Sequence, residues 1–412
     1  MNDRTGLIGR LRAALPDPLP VPLGVAVSGG GDSVALLHFL TGIVPPSALA
    51  VATVDHRLRP ESAQEAEAVA QLCAHLGLAH DVLVWEDGWD GCGNLQDAAR
   101  HARYGLLAGW ARDKRLAAVA LGHTADDQAE TVLMRLARAS GVDGLSGMPA
   151  ARSIDGVRFL RPLLGVTRAE LRACLHAAGL GWVEDPGNEN DDFDRIKARR
   201  ALAALAPLGV SAQGLAEVAE NLRQGRVALD RFAHDAARHV ARVDGGDVLL
   251  DRAALADLPE EIARRLVIGV LRWVGDAGYP PRRRAVAGML AALRERRDIT
   301  LSGCRLVAGD PARICREYDA VRDTVCAAGT AWDGRWTATA TGPGQQLRAL
   351  GRDGLARCGN WRATGRPRAA LLAAPSLWQG DRLVAAPLAG QGEAVIDRIG
   401  GAEGFARSLL SH

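Results

Sequence analysis

The sequence predicts an α/β protein: a parallel β-sheet with helices on both faces, then a helical and mixed α+β region, then a small C-terminal module. Three observations predict it. Short apolar runs alternate with helical stretches over the first 210 residues, the pattern of strands joined by crossover helices. A glycine-rich bend, Ser28-Gly29-Gly30-Gly31-Asp32-Ser33, separates the first apolar run from the helix after it. Beyond residue 210 the alternation stops and helical spacing takes over.

Taken in order, residues 5–15 put Leu7, Ile8, Leu11 and Leu15 on one helical face. Pro16, Pro18, Pro20 and Pro22 keep the chain extended as it enters the first strand, which ends at Val25 to Val27. Val34 to Leu40 begin a buried helix. Leu49 to Val54 read as a second strand, Asp81 to Trp85 as a third and Leu116 to Gly122 as a fourth. Helices are expected over 61–76, 94–113, 125–139 and 168–178. In a Rossmann-like sheet of this kind ligands lie beyond the carboxyl ends of the strands, so the loops at 28–33, 55–59 and 122–127 should line one crevice. Ala212 to Val243 read as one long amphipathic helix, with Leu215, Val218, Ala219, Leu222 and Leu229 at helical spacing. Residues 251–298 add helices, and 299–318 add short strands with a turn near Gly309-Asp310. From about 327 the chain is rich in Gly, Pro and Trp, with short strand-like pieces. The expected division is a catalytic domain over 1–210, a helical linker and mixed domain over 211–325, and a small module over 326–412.

Composition narrows the classes. A chain of 412 residues exceeds one typical core, and 48% hydrophobic residues is ordinary for a globular protein. No apolar run approaches the roughly 18 residues of a membrane span. The start, Met1-Asn2-Asp3-Arg4, has an early acid and no apolar leader, so no membrane partner and a cytoplasmic location are the expectation. The seven cysteines form no C-x-x-C pair, which suggests neither a zinc ribbon nor an iron–sulfur site. A net charge of +2 does not by itself predict nucleic-acid binding. Lys114 and Lys197 are the only lysines; the arginine surplus fits codon bias and is compatible with RNA. Local clusters at 195–200, 282–284 and 294–297 are more informative.

The bend is the chemical centre. Glycines let the backbone approach a ligand closely, and a strand-to-helix turn aims N–H groups and a positive dipole end at one spot, which suits phosphate. Two hydroxyls add donors. Asp32 would repel a bare phosphate, so a bridging cation such as Mg²⁺ is implied. There is no G-x-x-x-x-G-K-[ST] and no G-x-G-x-x-G, which excludes the two commoner phosphate loops. A ligand-free glycine turn is the alternative, but it does not need six specified residues in a row.

S-G-G-x-D-S resembles the signature of the PP-loop ATP pyrophosphatases, which cleave ATP between the α and β phosphates and transfer AMP to an oxygen. Further blocks are similar to bacterial tRNA(Ile)-lysidine synthetases. They are Asn94-Leu95-Gln96 with Ala99-Arg100 and Ala102-Arg103-Tyr104, then Gly122-His123-Thr124-Ala125-Asp126-Asp127-Gln128-Ala129-Glu130-Thr131, then Ser140-Gly141 through Gly144-Leu145-Ser146-Gly147-Met148. Arg161-Pro162-Leu163-Leu164 and Glu184-Asp185-Pro186, with Asn188, Asp191, Phe193, Arg195 and Arg199, complete a match over about the first 205 residues. Behind residue 210 the likeness is looser.

The resemblance implies a two-step reaction: ATP adenylates the C2 oxygen of the wobble cytidine in a CAU anticodon, and the amino group of free L-lysine displaces AMP. It implies ATP binding by Ser28, Gly29, Gly30, Gly31, Asp32 and Ser33, catalytic roles for Asp32, Arg103, His123 and Asp127, and Mg²⁺ on Asp32 and Asp127. The partners are tRNA(Ile), gripped by Arg195, Lys197 and Arg199, and lysine; the number of copies, monomer or homodimer, is left open. The residues bear this out in part on their own terms. His123, Asp126 and Asp127 open a helix directly after a strand, at the crevice mouth; the plainer reading of the two acids is complementing the helix dipole. Arg100 and Arg103 sit three apart on one helix, as phosphate ligands or as solvated arginines. Asp55 and His56 either edge the adenosine pocket or cap a loop. The basic run at 195–199 is either an RNA grip or a solvated helix face. The family usually has Asn where this chain has Ile196, which puts a polar role there in doubt.

Other reaction classes remain. A PP-loop tRNA thiolase would activate the base identically but needs a persulfide cysteine or a C-x-x-C. A glutamine-dependent synthetase needs a catalytic cysteine for ammonia release. A tRNA-binding relic would have lost Asp32 or Asp127.

Overall fold

The computed structural model describes residues 3–58, 62–89, 91–183, 194–275, 281–339, 342–401 and 404–410. The expected start of a helix at Glu61, Arg59, and the stretch Glu184 to Phe193 lie outside them. The chain divides into two compact units, Met1–Arg226 and Val227–His412.

The first unit opens with α1 (Asp3–Ala14), β1 (Leu23–Ala26), α2 (Gly31–Thr41), β2 (Leu49–Asp55), α3 (Ser62–His75) and β3 (Ala79–Val84). It continues with α4 (Leu95–Asp113), β4 (Ala118–Leu121), α5 (Ala125–Leu136), α6 (Val142–Leu145), β5 (Ala151–Ile154), β6 (Val157–Leu160), α7 (Arg168–Ala177) and α8 (Asp194–Leu205). The strands form one six-stranded sheet in the order β3-β2-β1-β4-β6-β5. β1 lies inside it, parallel to β2 and β4, with Val25 opposite Val51 and Ala120. β4 is buried at every position, as expected of a strand covered on both faces. Leu11, Leu36, Leu37, Leu171 and Leu175 pack one face of the sheet, while Tyr104, Leu107 and Trp110 of α4 pack the other.

Two features depart from the sequence reading. The sheet is not wholly parallel: β5 pairs antiparallel with β6 in a hairpin that the sequence reading did not contain. The long helix, α9 (Ala212–Val240), stops short of Val243 because Ala241–Asp244 is a strand, β7. β7 pairs with β8 (Asp247–Leu250) through a two-residue turn at Gly245-Gly246. Both glycines have positive φ, +57° and +85°, as a tight hairpin of this kind requires. The division between the units falls within α9, past the expected boundary at residue 210.

The second unit carries α10 (Arg252–Ala256), α11 (Glu260–Gly275), α12 (Arg283–Glu295), β9 (Ile299–Leu301), β10 (Cys304–Val307) and β11 (Ala312–Arg316). After these come β12 (Val325–Ala327), β13 (Trp336–Thr339), β14 (Gln345–Ala349), α13 (Gly351–Arg357), α14 (Arg368–Leu372), β15 (Pro375–Gln379), β16 (Arg382–Ala385), β17 (Val395–Arg398) and α15 (Gly404–Ser408). A five-stranded sheet, β7-β8-β11-β10-β9, backs α11 and α12. A four-stranded sheet, β12-β14-β15-β16, and the pair β13-β17 surround the buried Trp332. Phe405 and Leu409, near the C-terminus, return to the core of α11 and α12.

Candidate active site

The bend leaves β1 and enters α2. Gly29 has φ +88°, which side chains rarely adopt, and its carbonyl accepts from the Val183 N–H at 3.0 Å. Gly30 caps α2 without a side chain, so the first N–H groups of the helix face the bend. Ser33 is spent on the loop itself: its hydroxyl donates to the Gly30 carbonyl at 2.9 Å and accepts from the Ser28 N–H at 3.1 Å. Ser28 is exposed, and its Oγ lies 3.3 Å from that of Ser33. Of the two hydroxyls, Ser28 is therefore the one open to a ligand.

The next turn, β4 to α5, is pressed against the bend. A Cβ on Gly122 would lie 3.0 Å from both the N and the Cα of Ser33, a contact the bend could accept only by shifting a few tenths of an ångström. Thr124 and Asp127 form a capping box in which Asp127 Oδ2 accepts from the Thr124 N–H at 2.8 Å and its hydroxyl at 3.1 Å. Asp127 thus does complement the helix end, and it still has Oδ1 for other work. Asp126 accepts the Arg168 N–H at 2.7 Å, which joins the start of α7 to the start of α5.

A residue that the sequence reading passed over ties these pieces together. The Arg168 guanidinium donates from Nε to Asp32 Oδ2 and from Nη2 to Asp127 Oδ1, each at 2.9 Å. Its Nη1 lies 3.5 Å from Oε1 of Glu130, an acid only 1% exposed. Burial pushes the Asp32 carboxyl up, against the pull of Arg168; the nearby Asp127 and Asp126 push the same way as burial. Glu130 Oε1 also takes Arg199 Nε at 2.6 Å, whereas its Oε2 is buried with no hydrogen-bond partner among the described residues. A signal for Arg168 was present. Thr167 and Glu170 mark a capping box, so Arg168 is the first residue of a helix, where a cation opposes the dipole. Such a cation needs acids nearby.

On the other side of α5's start, His123 is 9% exposed, with Nδ1 buried and unpartnered among the described residues. Its pKa is driven well below the ordinary 6.5, first by burial and then by Arg103, Arg161, Arg195 and Arg100. The imidazole is neutral and surrounded by guanidiniums. Arg161 is fixed by donating to the Pro149 carbonyl at 2.8 Å and to the Tyr104 hydroxyl at 3.1 Å, and Arg100 lies over the Tyr104 ring. The site is bipolar, with carboxylates around Arg168 and arginines around His123.

Most of the expected residues meet here: the bend, Asp32, Arg103, His123 and Asp127. The basic run is not presented on one face. Arg195 and Lys197 are exposed, Arg199 turns inward to Glu130, and Ile196 between them is buried, which explains an apolar residue there. Asp55 caps its own loop, accepting from the Ser62 hydroxyl at 2.7 Å and the Arg57 N–H at 2.8 Å. His56 stands edge-on to Trp85 and has a buried Nδ1 with no hydrogen-bond partner among the described residues; burial and then Arg103 push its pKa down.

A family model described as a PP-loop domain matches residues 11–206. The tRNA(Ile)-lysidine synthase of Ruegeria pomeroyi is 54% identical, covering 98% of this chain and 98% of that one. Those of Methylobacterium nodulans and Zymomonas mobilis are 44% and 41% identical, covering 63% and 64% of this chain and 77% and 79% of theirs. Fold and bend define an ATP-using enzyme of the PP-loop pyrophosphatase class. Within that class, the chain belongs to the tRNA(Ile)-lysidine synthase family. Among the described residues no single helix is long and apolar enough to cross a membrane.

Proposed function

We propose that the protein ligates free lysine to C2 of the wobble cytidine in the CAU anticodon of tRNA(Ile), at the cost of ATP, in the cytoplasm where these substrates meet. The full-length likeness to a lysidine synthase is the observation that carries this reading. In the first step the cytidine O2 attacks the α phosphorus, an O–P bond forms, and the bond to pyrophosphate breaks. In the second, the lysine nitrogen attacks C2, AMP departs with O2, and the ammonium proton is lost.

The side chains suit these steps. The N–H groups at the start of α2 and the Ser28 hydroxyl face the triphosphate. Asp32 and Asp127 already share one cation, the Arg168 guanidinium, and no third His, Cys, Asp or Glu joins them in a metal-holding group among the described residues. Two carboxylates plus substrate phosphate oxygens is a usual shell for Mg²⁺, so the pair fits it. When bound, Mg²⁺ neutralises charge on the departing pyrophosphate. Glu130 Oε2, buried and unpartnered, is an acceptor for the lysine ammonium. His123, kept neutral by burial and arginines, hydrogen-bonds to the reacting base or phosphate and does not carry a proton. Arg103 and Arg161 offset phosphate charge, and exposed Arg195 and Lys197 meet the tRNA backbone.

A thiolase reading is disfavoured by the cysteines. Cys73 is in the core, with its thiol pushed up to about 11 by burial, and the sequence holds no C-x-x-C. The test is incubation with ATP, radiolabelled lysine and a CAU-anticodon tRNA(Ile) transcript. Label in the tRNA with equal AMP and pyrophosphate is expected. Unlabelled tRNA, or base modification only with a sulfur donor or glutamine, would overturn the reading.

A further inference from the structure

We propose that Arg168 is a positioning residue, an internal counter-ion that aligns Asp32 and Asp127 before substrates arrive and is exchanged for the incoming metal ion. The proposal rests on the reading above for the identity of the substrates; its geometry does not.

Asp127 has one oxygen to spare. Its Oδ2 is committed to the Thr124 N–H and hydroxyl. Only Oδ1 remains for a cation, and Arg168 Nη2 holds it at 2.9 Å. A divalent ion drawing on Asp127 must use that same oxygen, and two cations on one oxygen repel each other. Guanidinium and metal therefore exclude one another at Asp127. The same guanidinium grips Asp32 Oδ2 through Nε, so one side chain touches both of the acids that fit Mg²⁺.

Charge and anchoring agree with exchange. Asp32, Asp127 and Glu130 are three carboxylates on two guanidiniums, those of Arg168 and Arg199, and a fourth, Asp126, takes only the Arg168 backbone N–H. Among the described residues the acids of the cluster outnumber its guanidiniums, which leaves negative charge for a metal cation. The Arg168 backbone is fixed by its N–H bond to Asp126 and by the Thr167–Glu170 box, which Arg10 reinforces through Glu170 at 2.6 Å. Its side chain is long and 21% exposed, so it can swing out while α7 stays in place. Without Arg168 the acids would repel one another and lose their alignment.

The experiment uses full-length protein free of ATP and reads bound Mn²⁺ from loss of the free-ion electron paramagnetic resonance signal. Arg168→Met is expected to bind Mn²⁺ about tenfold more tightly than wild type, within the usual range of coupling between sites. The gain should vanish in Arg168→Met/Asp127→Asn. Arg168→Lys should return Mn²⁺ affinity toward wild type and restore much of the kcat that Arg168→Met loses, at a similar KM for lysine. If Arg168→Met does not fold, Arg168→Lys against wild type still decides, because a more mobile cation should tighten Mn²⁺ binding measurably. Unchanged or weaker Mn²⁺ binding in the folded variants, with the loss confined to the KM for ATP, would make Arg168 a phosphate ligand and overturn the proposal. Wild-type lysine transfer, run alongside, tests the functional reading separately; its absence leaves the Mn²⁺ comparison standing.

Discussion

In the first unit, Asp32, Asp127 and Glu130 face two guanidiniums, those of Arg168 and Arg199, with Asp126 beside them on the Arg168 N–H. In the second unit, Asp244 and Asp247 also face two, Arg313 and Arg366. There both Asp244 oxygens are taken at 2.5 Å, and Arg313 holds Asp247 at 2.7 Å. That second cluster is balanced. It borders a cavity of about 10 Å³, lined by Gly246, Trp336 and Leu388 among others, with room for at most one water. The first cluster is under-compensated, lies beside a glycine bend, and keeps a buried carboxylate oxygen without a hydrogen-bond partner among the described residues. Similar side chains thus close on one another where charges cancel and leave charge over for a ligand where they do not.

The sharpest way to break this contrast is Asp32→Asn. Pyrophosphate release should fall by about a thousandfold or more, the scale of losing one group that stabilises developing charge. Filter binding of tRNA should change by less than about twofold. Full turnover in that variant would remove Asp32 from the mechanism. In the second unit the counterpart is Arg313→Ala, which strands Asp247 and leaves Asp244 to Arg366 alone. It should lower stability by about 3–5 kcal/mol in denaturant titration. The KM for ATP, measured where the variant is folded, should not move; a large rise in it would mean that the cluster is not purely structural.

A smaller effect is expected from Gly122→Ala. The new Cβ, 3.0 Å from Ser33 backbone atoms, must push the bend away, at about 1–3 kcal/mol of overpacking. The readout is a raised KM for ATP with tRNA affinity unchanged. The smallest effect concerns pH. His123 has a folded pKa below 6.5, so between that value and 6.5 the unfolded chain binds a proton that the folded one refuses. Stability is therefore lost as pH falls below 6.5, with no contribution above it. The fall in melting temperature from about pH 7.5 to about pH 5.5 should be smaller in His123→Asn than in wild type. Equal slopes would mean that His123 protonates freely in the fold.

Much of the first unit was legible because its signals are local. Leu49 to Val54 is a near-continuous apolar run, and Asn94 and Thr124 are side-chain caps that the structure uses as such. The hairpin at 151–160 was not legible: Arg152 and Ser153 are exposed on the short edge strand β5, Arg158 on its short neighbour β6, and they leave little apolar pattern. The end of α9 was missed because Ala241 to Val243 continue the helical spacing, although Gly245-Gly246 marked a hairpin. At the site, sequence spacing gave the bend and the acids on α5. It did not give Arg168, which lies 136 residues from Asp32 and meets it only in the folded chain. Nor did it give the pairing of Arg199 with Glu130, 69 residues away, for the same reason.

One consequence of the stitched turns remains. Through Arg168, Asp126 and Asp127, the starts of α2, α5 and α7 are gathered at one crevice. Each such start carries roughly half a positive charge that comes from peptide geometry and not from a titrating group. No change of acidity removes that fraction, and it persists when a mobile side chain swings aside. The crevice therefore keeps a pH-independent attraction for polyphosphate, one that added salt weakens and protons do not.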